Sequence, residues 1–386
     1  MRKVAVVAQG ACKFGIRQAT YRDLIAEAGV ACFASAPCLR PKDIEGYIQS
    51  SVLPERAAYQ THVAPLGAEC LGIEPSKVVQ RVELLCASGS SAIRTAYAFI
   101  ASGLADVIMV LGVEKMHTPN PPENILNMMA GVDKEWEQPH GLMAPAGFAL
   151  ITQLYMQKYG IKKEQLALVA VKNRENAAKN PICHFQKPIT VADVLNSKPI
   201  NPPLNLLDCS PMTDGAAAMV LASEDRAKEF SDNPIYILGL AQAGKGNNTS
   251  NVTCWTSWPL LSEVAGQAYR MAGVTPADID VAEVHDCFTV SEIIEYEGLG
   301  FCKCGQGVKF LEEGKSRLDG ELPVNPGGGL LSRGHPLGAT GIAQGVEIVS
   351  QLQGQAGTRQ VKGASVGLTH NLSGFATEHT VIIYGR

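Results

Sequence analysis

One cysteine in the sequence lies where a nucleophile would be expected. Cys86 follows the apolar segment VVQRVELL (78–85) and opens the small-residue segment CASGSSAIRTAYAFIASG (86–103), a pattern that predicts a strand followed by a helix. Unpaired N–H groups and the helix dipole at such a junction stabilise a thiolate. The small residues that follow leave room for a substrate, so we predict an attacking sulfur rather than a small core cysteine.

Three histidines also lie at predicted strand-to-loop junctions. His335 is surrounded by six glycines in NPGGGLLSRGHPLGATG (325–341), a composition that lets backbone approach a ligand closely. His285 begins HDCF at the end of a predicted strand, and His370 lies in THNLSG at the end of another. One cysteine with several such histidines is a residue set suited to thioester exchange.

The elements that position these residues are repeated along the chain. The segments 78–85, 86–103 and 106–112 predict a βαβ unit. A second unit combines an amphipathic helix over Leu260–Ala272, a strand over 279–284 and a helix over 289–300. Each unit delivers a reactive residue, Cys86 or His285, to the start of a helix, so the chain is predicted to be internally duplicated.

Two further strands and one irregular region complete the predicted organisation. The strands SVGLT (365–369) and TVIIYG (380–385) resemble a closing edge of the sheet. Residues 116–212, rich in Asn, Pro, Met and Lys, break the alternation of strands and helices and predict an inserted loop domain over a site.

Composition excludes several classes of protein. The chain has 386 residues with a formal net charge of -4, 18% charged and 46% hydrophobic residues, and no basic stripe, which argues against nucleic-acid binding. The longest apolar stretch, Leu104–Val113, is far shorter than the ~20 residues of a membrane span. The first residues resemble a strand rather than a leader and IIYGR is no address signal, so we expect a cytoplasmic protein.

The eleven cysteines do not predict a disulfide scaffold or a metal site. They are scattered through apolar segments of a long chain, where reduced thiols are expected. Cys302 and Cys304 form the only close pair, and a single C-x-C without nearby histidines is a poor zinc site. We therefore expect no metal and no covalently bound cofactor.

The motifs together resemble the thiolase superfamily over essentially the whole chain. The residues that carry the resemblance are CASGS (86–90), GLMAPAGFAL (141–150), DGAAAMVLAS (214–223), HDCF (285–288), GFCKCGQG (300–307) and NPGGGLLSRGHPLGATG (325–341). The HDCF and HNLSG forms resemble the sterol-carrier-protein-type and archaeal-type branch, whereas common thiolases carry N-E-A-F and a terminal C-x-G.

The resemblance implies an α/β thiolase fold and a subunit organisation. Two βαβαβαββ halves are expected to form a five-layered αβαβα core. The N-terminal half would span 1–115 and be completed by 213–230, the loop domain 116–212 would cover the active site, and the C-terminal half would span 231–386. A homodimer or a dimer of dimers is implied, and a small partner with a zinc ribbon and an OB-like domain accompanies some members of this branch.

The resemblance also implies roles for individual residues. Cys86 matches the nucleophile that becomes acylated, and His335 matches the histidine that takes its proton and then helps to bind the enolate oxygen. His285 matches a direct donor to the same oxyanion hole. A second oxyanion hole would use the backbone N–H groups of Cys86 and Gly374.

One position departs from the common thiolase pattern. Leu372 in HNLSGF stands where most thiolases have a second cysteine that protonates the leaving carbanion, and leucine transfers no proton. Cys287 of HDCF is the candidate replacement, and a packed cysteine with no catalytic role is the alternative. A silent Cys287 would favour a transferase that needs no such proton step.

Substrate contacts and direction complete the expectations. Ser210 matches a serine on the pantetheine arm, Met143 and Phe148 would lie near the acyl pocket, and Trp255 and Trp258 would face the acyl group or pack a dimer core. The implied activity is thiolysis of a β-ketoacyl-CoA with coenzyme A as co-substrate, in a degradative pathway such as β-oxidation. The alternatives are an acyltransferase or condensing enzyme of the same fold and a non-catalytic scaffold or lipid-binding subunit.

Overall fold

A nine-stranded mixed sheet forms the centre of the protein in the computed structural model, which describes residues 2–386. A short hairpin, β5 with β6, forms a separate two-stranded sheet. The strands are β1 (Val4–Ala11), β2 (Gly46–Ser50), β3 (Val78–Val82), β4 (Val107–Glu114), β5 (Pro199–Asn201), β6 (Leu204–Asn205), β7 (Gly215–Ser223), β8 (Ile235–Gly244), β9 (Val281–Glu283), β10 (Val366–Ser373) and β11 (Glu378–Gly385).

Helices cover both faces of the large sheet and build the segment that follows β4. They are α1 (Tyr21–Ser35), α2 (Pro54–Ala57), α3 (Val63–Cys70), α4 (Ser88–Ala101), α5 (Pro121–Met129), α6 (Ala144–Tyr159), α7 (Lys163–Ala177), α8 (Val191–Leu195), α9 (Glu224–Phe230), α10 (Pro259–Ala272), α11 (Thr289–Gly298), α12 (Gly307–Glu312), α13 (Gly329–Arg333) and α14 (Leu337–Gln353). None of the helices in residues 2–386 combines the length and the apolar character that a membrane crossing requires.

The strand order shows a duplication, but not the predicted match of the Cys86 and His285 units: β9, which precedes His285, takes the place of β2 and not of β3, which precedes Cys86. The sheet runs β3-β2-β4-β7-β1-β8-β11-β10-β9, and the two halves meet where β1 pairs with β8. Going outward from this junction, each half has two antiparallel pairings followed by a parallel one: β1 with β7, β7 with β4 and β4 with β2, matched by β8 with β11, β11 with β10 and β10 with β9. A bridge between Ala282 and Val324 occupies the place that β3 has in the first half.

The expectation that the last two strands close the sheet at its edge was wrong. β11 lies between β8 and β10, and β9 is the edge strand. Almost every residue of β10 and β11 is buried, on both faces of the strand. Because both faces of these strands are covered by other elements, they belong inside the sheet.

The layers follow the predicted αβαβα order when each half of the sheet is counted as one β layer. α4 and α14 pack on each other in the middle, and between them they contact strands of both halves. α1 and α3 cover the outer face of the first half, while α10 packs on β8 and β11 and in turn contacts α11. The central pair matters for function because Cys86 precedes α4 and His335 precedes α14.

Candidate active site

Three side chains predicted from the sequence meet at the centre of the molecule. The Sγ atom of Cys86 and one ring nitrogen each of His285 and His335 all lie within 4.8 Å of one another. The two imidazole rings meet edge to face, with centroids 5.0 Å apart. These residues come from three separate parts of the sequence: the α4–α14 contact brings Cys86 and His335 together, and β9, which precedes His285, also contacts α14.

A tight turn presents Cys86. β3 ends at Val82, and Leu85 adopts a φ of 44°, a left-handed conformation that is costly for a leucine. The Ser88 hydroxyl holds this turn, since it donates to the Leu85 carbonyl at 2.6 Å and accepts the Leu84 N–H at 2.8 Å. The sulfur therefore lies in a short 3₁₀ turn ahead of α4 rather than in the first turn of the α-helix itself.

His335 is held by hydrogen bonds at the start of α14. Its Nδ1 lies 2.7 Å from the Thr340 hydroxyl oxygen, and that hydroxyl donates to the Pro336 carbonyl at 3.0 Å. Because the Thr340 hydroxyl hydrogen is donated to Pro336, the hydroxyl oxygen can only accept a hydrogen bond from the ring. The ring proton is therefore assigned to Nδ1. Nε2 is buried without a hydrogen-bond partner in residues 2–386 and is placed to accept a proton.

The glycine-rich loop is anchored by buried acids. The Asp286 carboxylate accepts the backbone N–H groups of Leu330 and Leu331 at 2.6 and 3.1 Å. Glu283 accepts the Gly327 N–H at 2.9 Å and pairs with Arg333 at 2.7 Å. The strand-end segment that carries His285 thus also fixes the loop that carries His335.

Burial controls the charge of the reacting pair. It raises the pKa of the Cys86 thiol to about 12 and lowers the pKa of His335 to about 3, where Arg333 adds a repulsive contribution. Burial thus disfavours the thiolate that the sequence led us to expect. It favours a neutral sulfur–imidazole pair, in which the proton moves as the sulfur attacks.

Cys287 and Leu372 both line the cavity that Cys86 faces. β9 ends at Glu283 and the Cys287 N–H donates to the His285 carbonyl at 2.8 Å, so this segment is a tight turn. His285 and Cys287 therefore do not lie two residues apart in a regular strand. The turn nevertheless leaves the Cys287 thiol in the cavity wall and the fully buried His285 beside Cys86.

The cavity has a volume of about 400 Å³ and a mainly apolar wall. Met143, Phe148, Ser210 and Gly374 are in that wall, as the sequence led us to expect, with Gly374 at a φ of 59°. Further wall residues that sequence reasoning did not single out are Leu85, Met116, Ile125, Met128, Val132, Leu206, Met212, Leu337 and Phe375.

The two tryptophans and His370 lie elsewhere. Trp258 is buried against His379, with ring centroids 5.8 Å apart, and Trp255 packs at the margin of the same C-terminal core. Neither tryptophan lines the cavity, so the acyl contact predicted for them finds no support. His370 is hydrogen-bonded to His379, with Nε2 of the first ring 3.1 Å from Nδ1 of the second, and is not part of the group formed by Cys86, His285 and His335.

The sulfur and nitrogen atoms of Cys86, His285 and His335 also form the one compact group in residues 2–386 with a spacing that could admit a metal ion. The sequence did not predict such a group. Cys302 and Cys304 are not part of it, and all eleven cysteines of the described chain are free.

Two family models match most of the chain. The thiolase N-terminal domain matches residues 4–200, and the thiolase C-terminal domain-like model matches residues 241–386.

Individual proteins are similar over nearly the full length. An acetyl-CoA acetyltransferase of Methanothermobacter thermautotrophicus is 41% identical, with all of both chains covered. Sterol carrier protein 2 of Bos taurus is 37% identical over 96% of this chain and 70% of that protein. Among solved structures, a chain of the Ltp2-ChsH2(DUF35) aldolase is 28% identical and superposes with a TM-score of 0.83, covering 99% of this chain and 97% of that one.

Proposed function

Because the chain belongs to the thiolase family, we propose that this acyltransferase cleaves β-ketoacyl-CoA with coenzyme A through an acyl-Cys86 intermediate. The observation that carries the proposal is the meeting of Cys86, His285 and His335 within 4.8 Å beside an apolar cavity. A sulfur nucleophile, a base and an oxyanion donor are the groups that a retro-Claisen cleavage requires.

In the first half-reaction, His335 Nε2 takes the thiol proton as Cys86 Sγ attacks the β-keto carbon. The carbonyl oxygen gains negative charge beside the backbone N–H groups of Cys86 and Gly374. Collapse of the tetrahedral intermediate breaks the Cα–Cβ bond, leaving the acyl group on sulfur and releasing the other fragment as a CoA enolate. His285 and the protonated His335 donate to the enolate oxygen, and Cys287 protonates its carbon.

In the second half-reaction, coenzyme A enters and its thiol gives a proton to the Cys287 thiolate. The CoA sulfur attacks the acyl carbon, and the bond to Cys86 Sγ breaks. The departing sulfur recovers its proton from His335. Both cysteines and His335 return to their starting forms, so the cycle balances and needs no other cofactor.

The acyl group is proposed to be apolar. Four methionines line the cavity, and methionine side chains adapt to irregular apolar groups (Met116, Met128, Met143 and Met212). We place the acyl part against this wall and the pantetheine arm near Ser210, under the predicted loop domain 116–212. Thiolysis in a degradative pathway is the direction we propose.

Two partners are part of the proposal. A homodimer or a dimer of dimers is expected from the family. A small zinc-ribbon and OB-fold partner is supported by the structural similarity to a chain of an aldolase whose name includes a DUF35 component.

The function is tested by thiolysis of a panel of β-ketoacyl-CoA thioesters that differ in acyl size. Without added coenzyme A, wild-type protein should release at most one equivalent of acetyl-CoA or another acyl-CoA per active site, whereas added coenzyme A should give repeated turnover; Cys86→Ser should abolish both. Cys70→Ser is the matched control, because Cys70 is also partly exposed and lies outside the cavity wall. Cleavage that persists in Cys86→Ser would remove the acyl-enzyme mechanism and favour direct attack of coenzyme A or water on the β-keto carbon.

A further inference from the structure

The donor role of His285 depends on which ring nitrogen carries its proton. A neutral imidazole has one N–H, so it can donate from Nδ1 or from Nε2 but not from both. Nδ1 faces Asn371, with Nδ1 and the Asn371 Nδ2 atom 3.0 Å apart. Nε2 is buried without a hydrogen-bond partner in residues 2–386. The tautomer therefore decides whether the free nitrogen can bind an oxyanion.

The direction of the surrounding hydrogen bonds starts at Gln344 on α14. Its Nε2 donates to two backbone carbonyls, those of Val284 at 2.9 Å and His370 at 3.3 Å. Carbonyl oxygens only accept, so both amide hydrogens are used and the orientation of this side chain is fixed. Gln344 Oε1 can then act only as an acceptor toward its remaining neighbour, Asn371.

Asn371 receives its orientation from Gln344. Its Nδ2 lies 2.6 Å from Gln344 Oε1, and its Oδ1 accepts the Ser90 hydroxyl of α4. If the Asn371 amide were flipped, its Oδ1 would face Gln344 Oε1. Neither oxygen carries a hydrogen, so no hydrogen bond could form. One hydrogen of Nδ2 is thus used by Gln344, and the other points to His285 Nδ1.

We propose that Asn371 is a positioning residue which, oriented by Gln344, fixes His285 in the tautomer that donates from Nε2. Nδ1 accepts the amide hydrogen, so the ring proton resides on Nε2, next to Cys86 and His335. The opposite assignment holds at His335, where Thr340 leaves Nε2 unprotonated. Two neighbouring histidines thus begin the reaction as one donor and one base.

Burial supports a neutral His285. It lowers the pKa of His285 well below the usual range, and His335, His370 and His379 add smaller repulsive contributions. A doubly protonated ring, which would donate from both nitrogens and need no orientation, is therefore disfavoured. The packing also leaves little freedom, since a Cβ atom at Gly341 would overlap both Ser90 and Asn371 Oδ1.

The test combines a spectroscopic and a kinetic measurement, and its kinetic part rests on the proposed thiolase function. In wild-type protein labelled with ¹⁵N-histidine, His285 should show an unprotonated Nδ1 and a protonated Nε2, with the signal assigned by its loss in His285→Asn. Asn371→Asp replaces the amide donor by an acceptor of the same shape. In this variant the proton should move to Nδ1, and kcat for carbon–carbon cleavage should fall by about 10²–10³, as for loss of one oxyanion donor.

The matched control is Asn205→Asp. Asn205 is also buried and donates through Nδ2 to two backbone carbonyls, those of Val194 and Leu195, but it does not contact His285. The Asn205→Asp variant should introduce a similar buried carboxylate without moving the His285 proton. Alkylation of Cys86 should remain within a few-fold of wild type in Asn371→Asp, since His285 does not activate the sulfur.

Two results would overturn the proposal. One is a wild-type His285 that carries its proton on Nδ1, and the other is a folded Asn371→Asp variant whose neutral His285 is protonated on Nδ1 and which still cleaves substrate as well as the Asn205→Asp control. The wild-type tautomer is measured without substrate. This measurement therefore tests the role of Asn371 even if no β-ketoacyl-CoA is cleaved and the proposed function fails.

Discussion

At the scale of single residues, environment gives identical side chains different tasks. Cys86 and Cys287 both reach the cavity, and burial raises the pKa of both thiols, which disfavours the thiolate form of each. Cys86 has His335 beside it as a base, whereas Cys287 has the Ser291 hydroxyl, with the two atoms 3.6 Å apart. The first environment suits nucleophilic attack, and the second suits a thiol that donates a proton late in the reaction.

The neutral resting pair predicts how Cys86 reacts with an alkylating agent. A thiol with a pKa of about 12 loses about tenfold in thiolate for each pH unit below that value. The rate of alkylation by iodoacetamide should therefore rise steadily from pH 6 to pH 9 and show no plateau near neutrality. The modified peptide, compared between wild type and Cys86→Ser, identifies the site. A plateau around pH 7 would instead indicate a preformed thiolate–imidazolium pair.

Cys287 is predicted to supply the proton that Leu372 cannot. Cys287→Ala should lose both thiolysis and the exchange of acetyl-CoA methyl hydrogens with deuterated water. Adding Leu372→Cys should restore part of both, because Leu372 faces the same cavity. Cys32→Ala, which removes another fully buried thiol far from the cavity wall, controls for loss of packing. Full exchange in the single variant would leave Cys287 as a packing residue only.

At the scale of elements, Glu114 at the end of β4 joins two segments around the site. Its carboxylate accepts the backbone N–H groups of Val52 and Leu53 at 2.8 and 2.9 Å, and that of Gly338 in the first turn of α14 at 2.9 Å. Gly338 is three residues beyond His335, so this carboxylate helps to set the position of the base. Burial raises the pKa of Glu114 to about 7.

Glu114→Gln is predicted to destabilise the protein by about 1–3 kcal/mol at pH 5, because an amide N–H₂ would face backbone donors. The folded-state pKa lies above the unfolded one, so wild type should lose stability as the pH rises from about 4.5 through 7. Gln does not titrate, and that part of the pH dependence should vanish in the variant. Urea unfolding at pH 5 and pH 8 measures both effects; parallel pH dependences in the two proteins would contradict this role.

The sequence predicted those parts of the site that depend on local pattern. The junction at Cys86 and the position of HDCF after β9 follow from periodicity and composition. The tight turn at 285–287 and the left-handed Leu85 did not, since tertiary contacts rather than residue preference stabilise them. Asn371 lay within the HNLSG motif, and a polar residue in a buried strand was the only available signal.

At the scale of the whole molecule, the segment after β4 is tied to the second half by buried polar contacts. Lys172 of α7 pairs with Glu292 of α11 at 2.8 Å, and Asn173 donates to both Glu292 and Asp286 at 2.7 Å. Asp286 also anchors the glycine-rich loop, so one network connects the segment after β4 with the loop that carries His335. Such long-range connections have no local sequence signature, which is why the residues of this network were not predicted.

The duplicated sheet explains why the catalytic group forms at the centre. In each half a strand ends near the middle layer. One helix of each half, α4 or α14, packs there against the corresponding helix of the other half. Cys86 of the first half therefore meets His285 and His335 of the second half. This arrangement predicts a single nucleophile that carries the acyl group, with both histidines acting on the same substrate.

The mass of the intact protein after brief mixing with β-ketoacyl-CoA tests the acyl-Cys86 intermediate most directly. Wild type quenched in acid before coenzyme A is added should gain the mass of one acyl group, and the label should map to the peptide that contains Cys86. Coenzyme A should remove the label, while Cys86→Ser should gain none. An unlabelled wild-type protein that still cleaves the substrate, or a label on another residue that coenzyme A removes, would contradict the account.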